Sequence, residues 1–153
     1  MTANMSCVID ANVIIPTFIE EPDSAAARHL FAIYATQQPI TIAVPDCFYA
    51  ETGQVLWKHR QFKTLTTERY RESVLAIAAL PLSVTSTREL LPVAVRLNIH
   101  YQLNFIDACY LALAMREQLP LITLDGGFRN ATRQCPVPVY TVQDFLELYQ
   151  LME

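Results

Sequence analysis

Short apolar runs alternate with amphipathic segments from one end of the chain to the other, and that alternation limits the fold more than any other feature of the sequence. Cys7-Val8-Ile9, Ile40 to Val44, Leu82 to Thr85, Leu121 to Leu124 and Val137 to Tyr140 read as strands, most of them rich in β-branched residues and bounded by turn formers. Between them lie segments with helical periodicity: Ser24 to Tyr34, Pro45 to Arg60, and a segment capped by Thr66 or Thr67 that carries Tyr70, Val74, Ile77 and Ala78. Thr87 to Asn98, Asn104 to Gln118, Phe128 to Arg133 and Val142 to Leu151 complete the set. Strands that each return through a helix form a parallel sheet covered on both faces, so an α/β fold is expected. The 153 residues fit one such domain, residues 1–153, without a linker or repeat.

In parallel sheets of this kind the binding crevice opens beyond the carboxyl ends of the strands. Asp10 and Asp125 each follow a predicted strand directly. Either could also be a turn residue bonding its own backbone, Asp125 through the following Gly126-Gly127. Glu51 shares a helical face with Cys47, Phe48 and Val55, which puts a carboxylate on the apolar stripe. Its stem could instead pack while the head reaches water, or pair with Lys58. Asp107 is flanked by Leu103, Leu111 and Ala114 on an inward face, and with Asn104 as N-cap it also fits the third position of a capping box. Taken together, four desolvated carboxylates repel one another unless a cation lies among them. Oxygen-only donors suit Mg²⁺ or Mn²⁺, and a hydrated magnesium suits phosphodiester hydrolysis.

These residues carry a resemblance. Val8-Ile9-Asp10-Ala11-Asn12-Val13-Ile14, Ala50-Glu51, Ile106-Asp107-Ala108-Cys109-Tyr110-Leu111 and Ile122-Thr123-Leu124-Asp125 with Phe128 resemble, in order and spacing, the PIN domain family, and especially the ribonuclease toxins of VapBC-type toxin-antitoxin pairs. The resemblance reaches to Asp144-Phe145-Leu146 in the last helix. It implies a three-layer α/β/α fold with a mainly parallel central sheet, Mg²⁺- or Mn²⁺-dependent endoribonuclease activity, a homodimer and inhibition by an antitoxin. By position it assigns Asp10, Glu51, Asp107 and Asp125 to the catalytic, metal-binding acidic quartet and Asn12 and Thr123 to polar residues beside it. Asn104 supports Asp107 as its cap. Gly126-Gly127 departs from the bulkier or charged residues that relatives commonly carry there. Lys58, Arg60, Lys63, Arg129 and Arg133 are the candidate phosphate contacts, each with the alternative of a solvated surface charge.

Other classes fit less well. A haloacid-dehalogenase-like phosphatase needs a second Asp where this chain has Asn12, and a receiver domain needs a late Lys, whereas none follows Lys63. A housekeeping RNA-processing nuclease, or a catalytically silent PIN-like binding module, remains an alternative; the second is expected to have lost part of the quartet. Net charge of −4 argues against coating nucleic acid through bulk charge, while leaving room for local basic patches. Cys7, Cys47, Cys109 and Cys135 lack metal-ligand spacing and read as free thiols of a cytoplasmic protein, and the scattered His29, His59 and His100 argue against zinc. No signal peptide or membrane span is expected.

Overall fold

The computed structural model of the chain describes residues 4–37 and 40–150. Strands β1 (Cys7–Ile9), β2 (Ile42–Pro45), β3 (Ser83–Thr85), β4 (Leu121–Ile122) and β5 (Val139–Tyr140) form one all-parallel sheet in the order β3-β2-β1-β4-β5. Every residue of β1, β2 and β4 is buried, as required of central strands covered on both faces. Helices α1 (Ser24–Thr36), α2 (Cys47–Gln61), α3 (Thr67–Ala79), α4 (Thr87–Tyr101), α5 (Phe105–Glu117), α6 (Gly126–Ala131) and α7 (Val142–Gln150) flank it, giving the α/β/α architecture expected from the alternation. Among the described residues no helix is long and apolar enough to cross a membrane.

Helix α5 is the centre of the core. Residues Ala108 through Ala114 are all buried, because α5 packs against β1, β2, β4 and α4 together. Its Tyr110, with Phe48 of α2 and Phe145 of α7, is among the largest fully buried side chains, each contributing about 1.5–3 kcal/mol of apolar transfer energy. The helix starts where its sequence says it should: the Asn104 side chain accepts from Asp107 N at 2.8 Å. Thr66 rather than Thr67 caps α3, accepting from Arg69 N at 3.1 Å.

Several boundaries differ from the sequence expectation. Pro45 does not open α2; it closes β2 in register with Thr85, and Asp46 stands at the N-cap. A proline can end a strand because the next donor, Asp46 N, continues the ladder to Thr85 O at 2.9 Å. Strand β2 starts at Ile42 rather than Ile40, β3 at Ser83 rather than Leu82, and β5 at Val139 rather than Val137; the donorless Pro138 precedes β5. Helix α6 begins at Gly126, not Phe128. Leu151, the expected end of the last helix, lies outside the described residues. Two single 3-10 turns, Ala11–Val13 and Ile15–Thr17, follow β1 where no element was expected.

The strand order carries a functional consequence. From β1 the chain adds β2 and β3 on one side, then returns to place β4 and β5 on the other. The reversal falls between β1 and β4, so the two neighbouring loops diverge there and leave a crevice.

Candidate active site

Asp10 leaves the end of β1 and Asp125 follows β4, so the two flank the reversal. Asp10 is 5% exposed, which makes its hydrogen bonds decisive for an ionised carboxylate. Its Oδ1 accepts from Ala11 N at 2.7 Å and its Oδ2 from the Thr123 hydroxyl at 2.8 Å. Thr123 is itself fully buried, and its Oγ1 accepts from Asp125 N (3.1 Å) and Asn12 Nδ2 (3.3 Å). Asn12 completes the bracing by accepting from Leu124 N at 3.1 Å. One hydroxyl and one amide thus tie the loop after β1 to the loop after β4 and fix the Asp10 side chain between them.

The other two carboxylates come from helices. Glu51, half-buried on α2, accepts from the Tyr110 hydroxyl of α5 at 2.6 Å, so its partner is Tyr110 and not Lys58. Asp107 lies in the first turn of α5, where Asn104 Nδ2 donates to its Oδ2 at 3.0 Å; with the cap bond to Asp107 N this makes a variant of the capping box whose return bond comes from the Asn104 side-chain amide. Asp125 accepts from Phe128 N at 3.1 Å as the N-cap of α6, in place of an Asp-Gly turn, and neither following glycine has a positive φ. Gly127 matters by its size: a Cβ there would come within 3.2 Å of Asp125 Oδ1 and press on the capping carboxylate.

All four carboxylates line one cleft of about 460 Å³, together with Asn12, Asn104, His59, Val55 and Leu124. The electrostatics tie them into one group. Burial first, then the charges of Asp10, Asp125 and Glu51, push the Asp107 carboxyl up to about 7, against the pull of the Asn104 bond. Burial also raises Asp10, opposed by the Thr123 and Ala11 bonds and reinforced by Asp125. Glu51 is raised by burial and by Asp10, against the Tyr110 bond.

Among the described residues, no three His, Cys, Asp or Glu side chains converge as a ready ligand set, so closing a coordination shell requires side-chain rotation within the cleft. The donor chemistry nevertheless fits a hard divalent cation: carboxylate oxygens predominate around a polar opening, and those of Asp10, Glu51 and Asp107 are raised by burial and by neighbouring acidic charge. The candidate phosphate contacts lie elsewhere. Lys58, Arg60 and Lys63 belong to the end of α2 and its following turn; Arg129 and Arg133 border a separate cavity beside β5, Arg133 bonded to Asn130 Oδ1 at 2.8 Å. None of the five lines the acidic cleft. Sequence reasoning missed Tyr110 and His59; the first sits three residues after Asp107, a spacing that puts both on one helical side.

Fold and cleft define the class: a parallel α/β domain whose polar centre, at the strand-order reversal, is built from carboxylates. A family model described as PIN domain matches residues 7–134, and the chain belongs to the PIN domain family. No curated protein sequence matches it. Similar solved structures include a toxin-antitoxin complex from Klebsiella pneumoniae, at 20% identity and a TM-score of 0.63 over 90% of this chain and 98% of that one. Mycobacterium tuberculosis VapC20, a sarcin-ricin loop cleaving toxin, gives 16% identity and a TM-score of 0.64 over 82% of this chain and 95% of its own. VapBC2 from Rickettsia felis, bound to a DNA fragment from its promoter, gives 16% and 0.60 over 86% and 95%. At these identities the likeness bears on the fold alone.

Proposed function

We propose that this protein is a divalent-metal-dependent endoribonuclease, the toxin of a toxin-antitoxin pair. The observation that carries the proposal is the coupling of the four carboxylates at the mouth of the strand-order reversal, with Asp107 held near 7 largely by burial and by the other three. Asp10, Glu51, Asp107 and Asp125 are the residues that would hold the cation. A bound Mg²⁺ or Mn²⁺ would polarise the phosphodiester and supply an activated water. The chain's own groups prepare that cleft. Thr123 and the Ala11 amide orient Asp10 and oppose the rise that burial imposes on its carboxyl, the Tyr110 hydroxyl holds Glu51, and Asn104 holds Asp107 Oδ2. A proton retained by Asp107 would therefore sit on Oδ1, and Asp107 must release it to become a ligand, so cation affinity rises with pH up to about 7.

The toxin assignment draws on the structural neighbours, which include a toxin-antitoxin complex, a VapBC assembly and a sarcin-ricin loop cleaving toxin. A homodimer fits the exposed apolar series Leu91, Val95 and Ile99 on α4, spaced by four residues, next to the exposed Phe105 and Ile106. A cytoplasmic setting fits four free cysteines, two of them buried, with burial lifting Cys7 to about 12.

The test is cleavage of RNA by purified protein with Mn²⁺ or Mg²⁺ and its arrest by EDTA; activity indifferent to chelation removes the metal. Induction of the gene alone should slow bacterial growth, and Asp10→Ala should not. Equal inhibition by both forms would detach toxicity from the cleft.

A further inference from the structure

Another cavity, about 520 Å³, lies away from the carboxylates. It lies between α2 and α3, floored by Val74 and Leu75 and walled by Trp57, Tyr70, Arg60 and Arg71. Trp57 and Tyr70 lean on one another with ring centroids 5.5 Å apart, yet Trp57 keeps 43% of its surface exposed. Phe62, in the turn that ends α2, is 80% exposed. Lys63 beside it takes a left-handed backbone (φ 60°), and buried Leu65 anchors the far side of the turn, so the connection presents Phe62 outward rather than folding it in.

The charge around this hairpin is opposite to that of the rest of the protein. Residues 58–72 contain Lys58, Arg60, Lys63, Arg69 and Arg71 against two acids, Glu68 and Glu72. That is five of the chain's eleven Lys and Arg, a local +3 that leaves −7 on the remainder. Ion pairs among the described residues occupy Arg28 and Arg116, but none of these five cations. A basic end of a helix can simply answer the helix dipole. That explanation covers Lys58, His59 and Arg60 but not Arg69 and Arg71, which lie in the early turns of α3. Unpaired cations interleaved with exposed aromatic rings match the requirements of a single-stranded nucleic acid, whose phosphates need cations and whose unstacked bases need π-faces. A duplex, with its bases already stacked, cannot use the rings.

The hairpin is also continuous with the acidic cleft. Glu51, Val55 and His59 line the cleft from α2, whereas Trp57, Arg60 and Gln61 line the groove from the same helix. Trp57 is about 9 Å further along the axis than Glu51, and Lys58, His59 and Arg60 wrap round the helix between the two openings. We propose that the α2–α3 hairpin is the docking platform for an unpaired stretch of the RNA substrate, with bases stacking on Trp57 and Phe62 and phosphates held by Lys58, Arg60, Lys63 and Arg71. This rests on the nuclease reading of the cleft for its choice of RNA, and selects single-stranded loops or tails over duplex.

Trp57 is the chain's one tryptophan, so its fluorescence reports on this groove alone. The experiment titrates the full chain carrying Asp10→Asn, which keeps the RNA intact, with a 12-nucleotide single-stranded RNA, while anisotropy of a label on the RNA measures total binding. Expected are quenching of Trp57 that tracks the anisotropy, weak or absent quenching by the same sequence as a duplex, and a loss of affinity of about 5- to 100-fold in Phe62→Ala. Arg71→Ala should lower the slope of log affinity against log salt by about 0.7. Both positions are exposed, so neither change threatens the fold. Binding without Trp57 quenching, or unchanged affinity in Phe62→Ala, overturns the platform even if wild type cleaves RNA with Mn²⁺. Quenching and Phe62 dependence without metal-dependent cleavage would uphold the platform and sink the nuclease reading instead.

Discussion

Helix α2 presents two unlike surfaces. Toward the sheet reversal it contributes Glu51, Val55 and His59 to a carboxylate cleft; toward α3 it contributes Trp57, Arg60 and Gln61 to an aromatic and basic groove. The cleft is anchored by held groups: Asp10 and Thr123 are buried, and their hydrogen bonds fix the β1–β4 junction around which the other carboxylates stand. The groove is built of half-exposed rings and cations without ion pairs. Preorganised charge suits chemistry on one phosphate, and adaptable aromatic surface suits holding a chain whose sequence varies. The difference suggests a division of labour, reaction on one side of α2 and retention on the other.

The sharpest way to break that division is Asp10→Asn. It removes a cleft carboxylate while keeping the acceptor for Thr123, and cleavage should fall by more than about 100-fold. RNA affinity should stay within about twofold, because the groove is untouched. If affinity fell in parallel with cleavage, the two surfaces would be one binding site and the comparison would collapse.

A smaller effect is expected from Tyr110→Phe. The hydroxyl is the partner of Glu51 at 2.6 Å, and its loss frees a half-buried carboxylate to swing. Mn²⁺ affinity, measured calorimetrically, should weaken by about 10-fold, at a stability cost of about 1 kcal/mol. Unaltered affinity would make Tyr110 a core residue that happens to find an acceptor.

How far these surfaces were legible in the sequence follows from range. The parallel sheet was legible because strand and helix periods are local, and the Asn104–Asp107 box because capping is local too. Asp10 could be placed at a strand end, since a strand's last residue fixes where the next side chain emerges; Asp125 was expected there too, but β4 stops at Ile122 instead of Leu124 and Asp125 lies three residues beyond it, as the N-cap of α6. Tyr110 could not be read as a partner of Glu51: 59 residues separate them, and Tyr110 stands in a run whose other members are all apolar core. His59 was unreadable as a cleft residue for the same reason, and the basic residues could be listed but not assigned to a side of α2. The two turns after β1 were missed because Val13-Ile14-Ile15-Pro16 is buried without helical or strand period.

The last and smallest effect separates the two duties of Asp107, which caps α5 and also belongs to the repelling group. Its carboxyl is raised to about 7 in the folded, metal-free protein, against an ordinary value of 3.8 in the unfolded chain. Below about pH 4 it is neutral in both states and imposes no penalty. Between about 4 and 7 the unfolded chain ionises while the folded protein resists, so the Asp107 contribution to stability is lost progressively as pH rises through that window, and the loss is complete above it. Asp107→Asn has no such titration. With EDTA present, the melting temperature of the mutant minus that of wild type should therefore climb from about pH 4 to about pH 7 and then level. A residue that served only as a cap would behave the other way, because an ionised group in the first turn of a helix favours the folded state by up to about 1 kcal/mol, and its removal would make the difference fall over the same range. The sign of the slope decides between the two, and added Mn²⁺ supplies the check: it should raise the melting temperature of wild type more than that of Asp107→Asn, since only a cation shared by the cleft carboxylates gains from the charge that the mutant lacks.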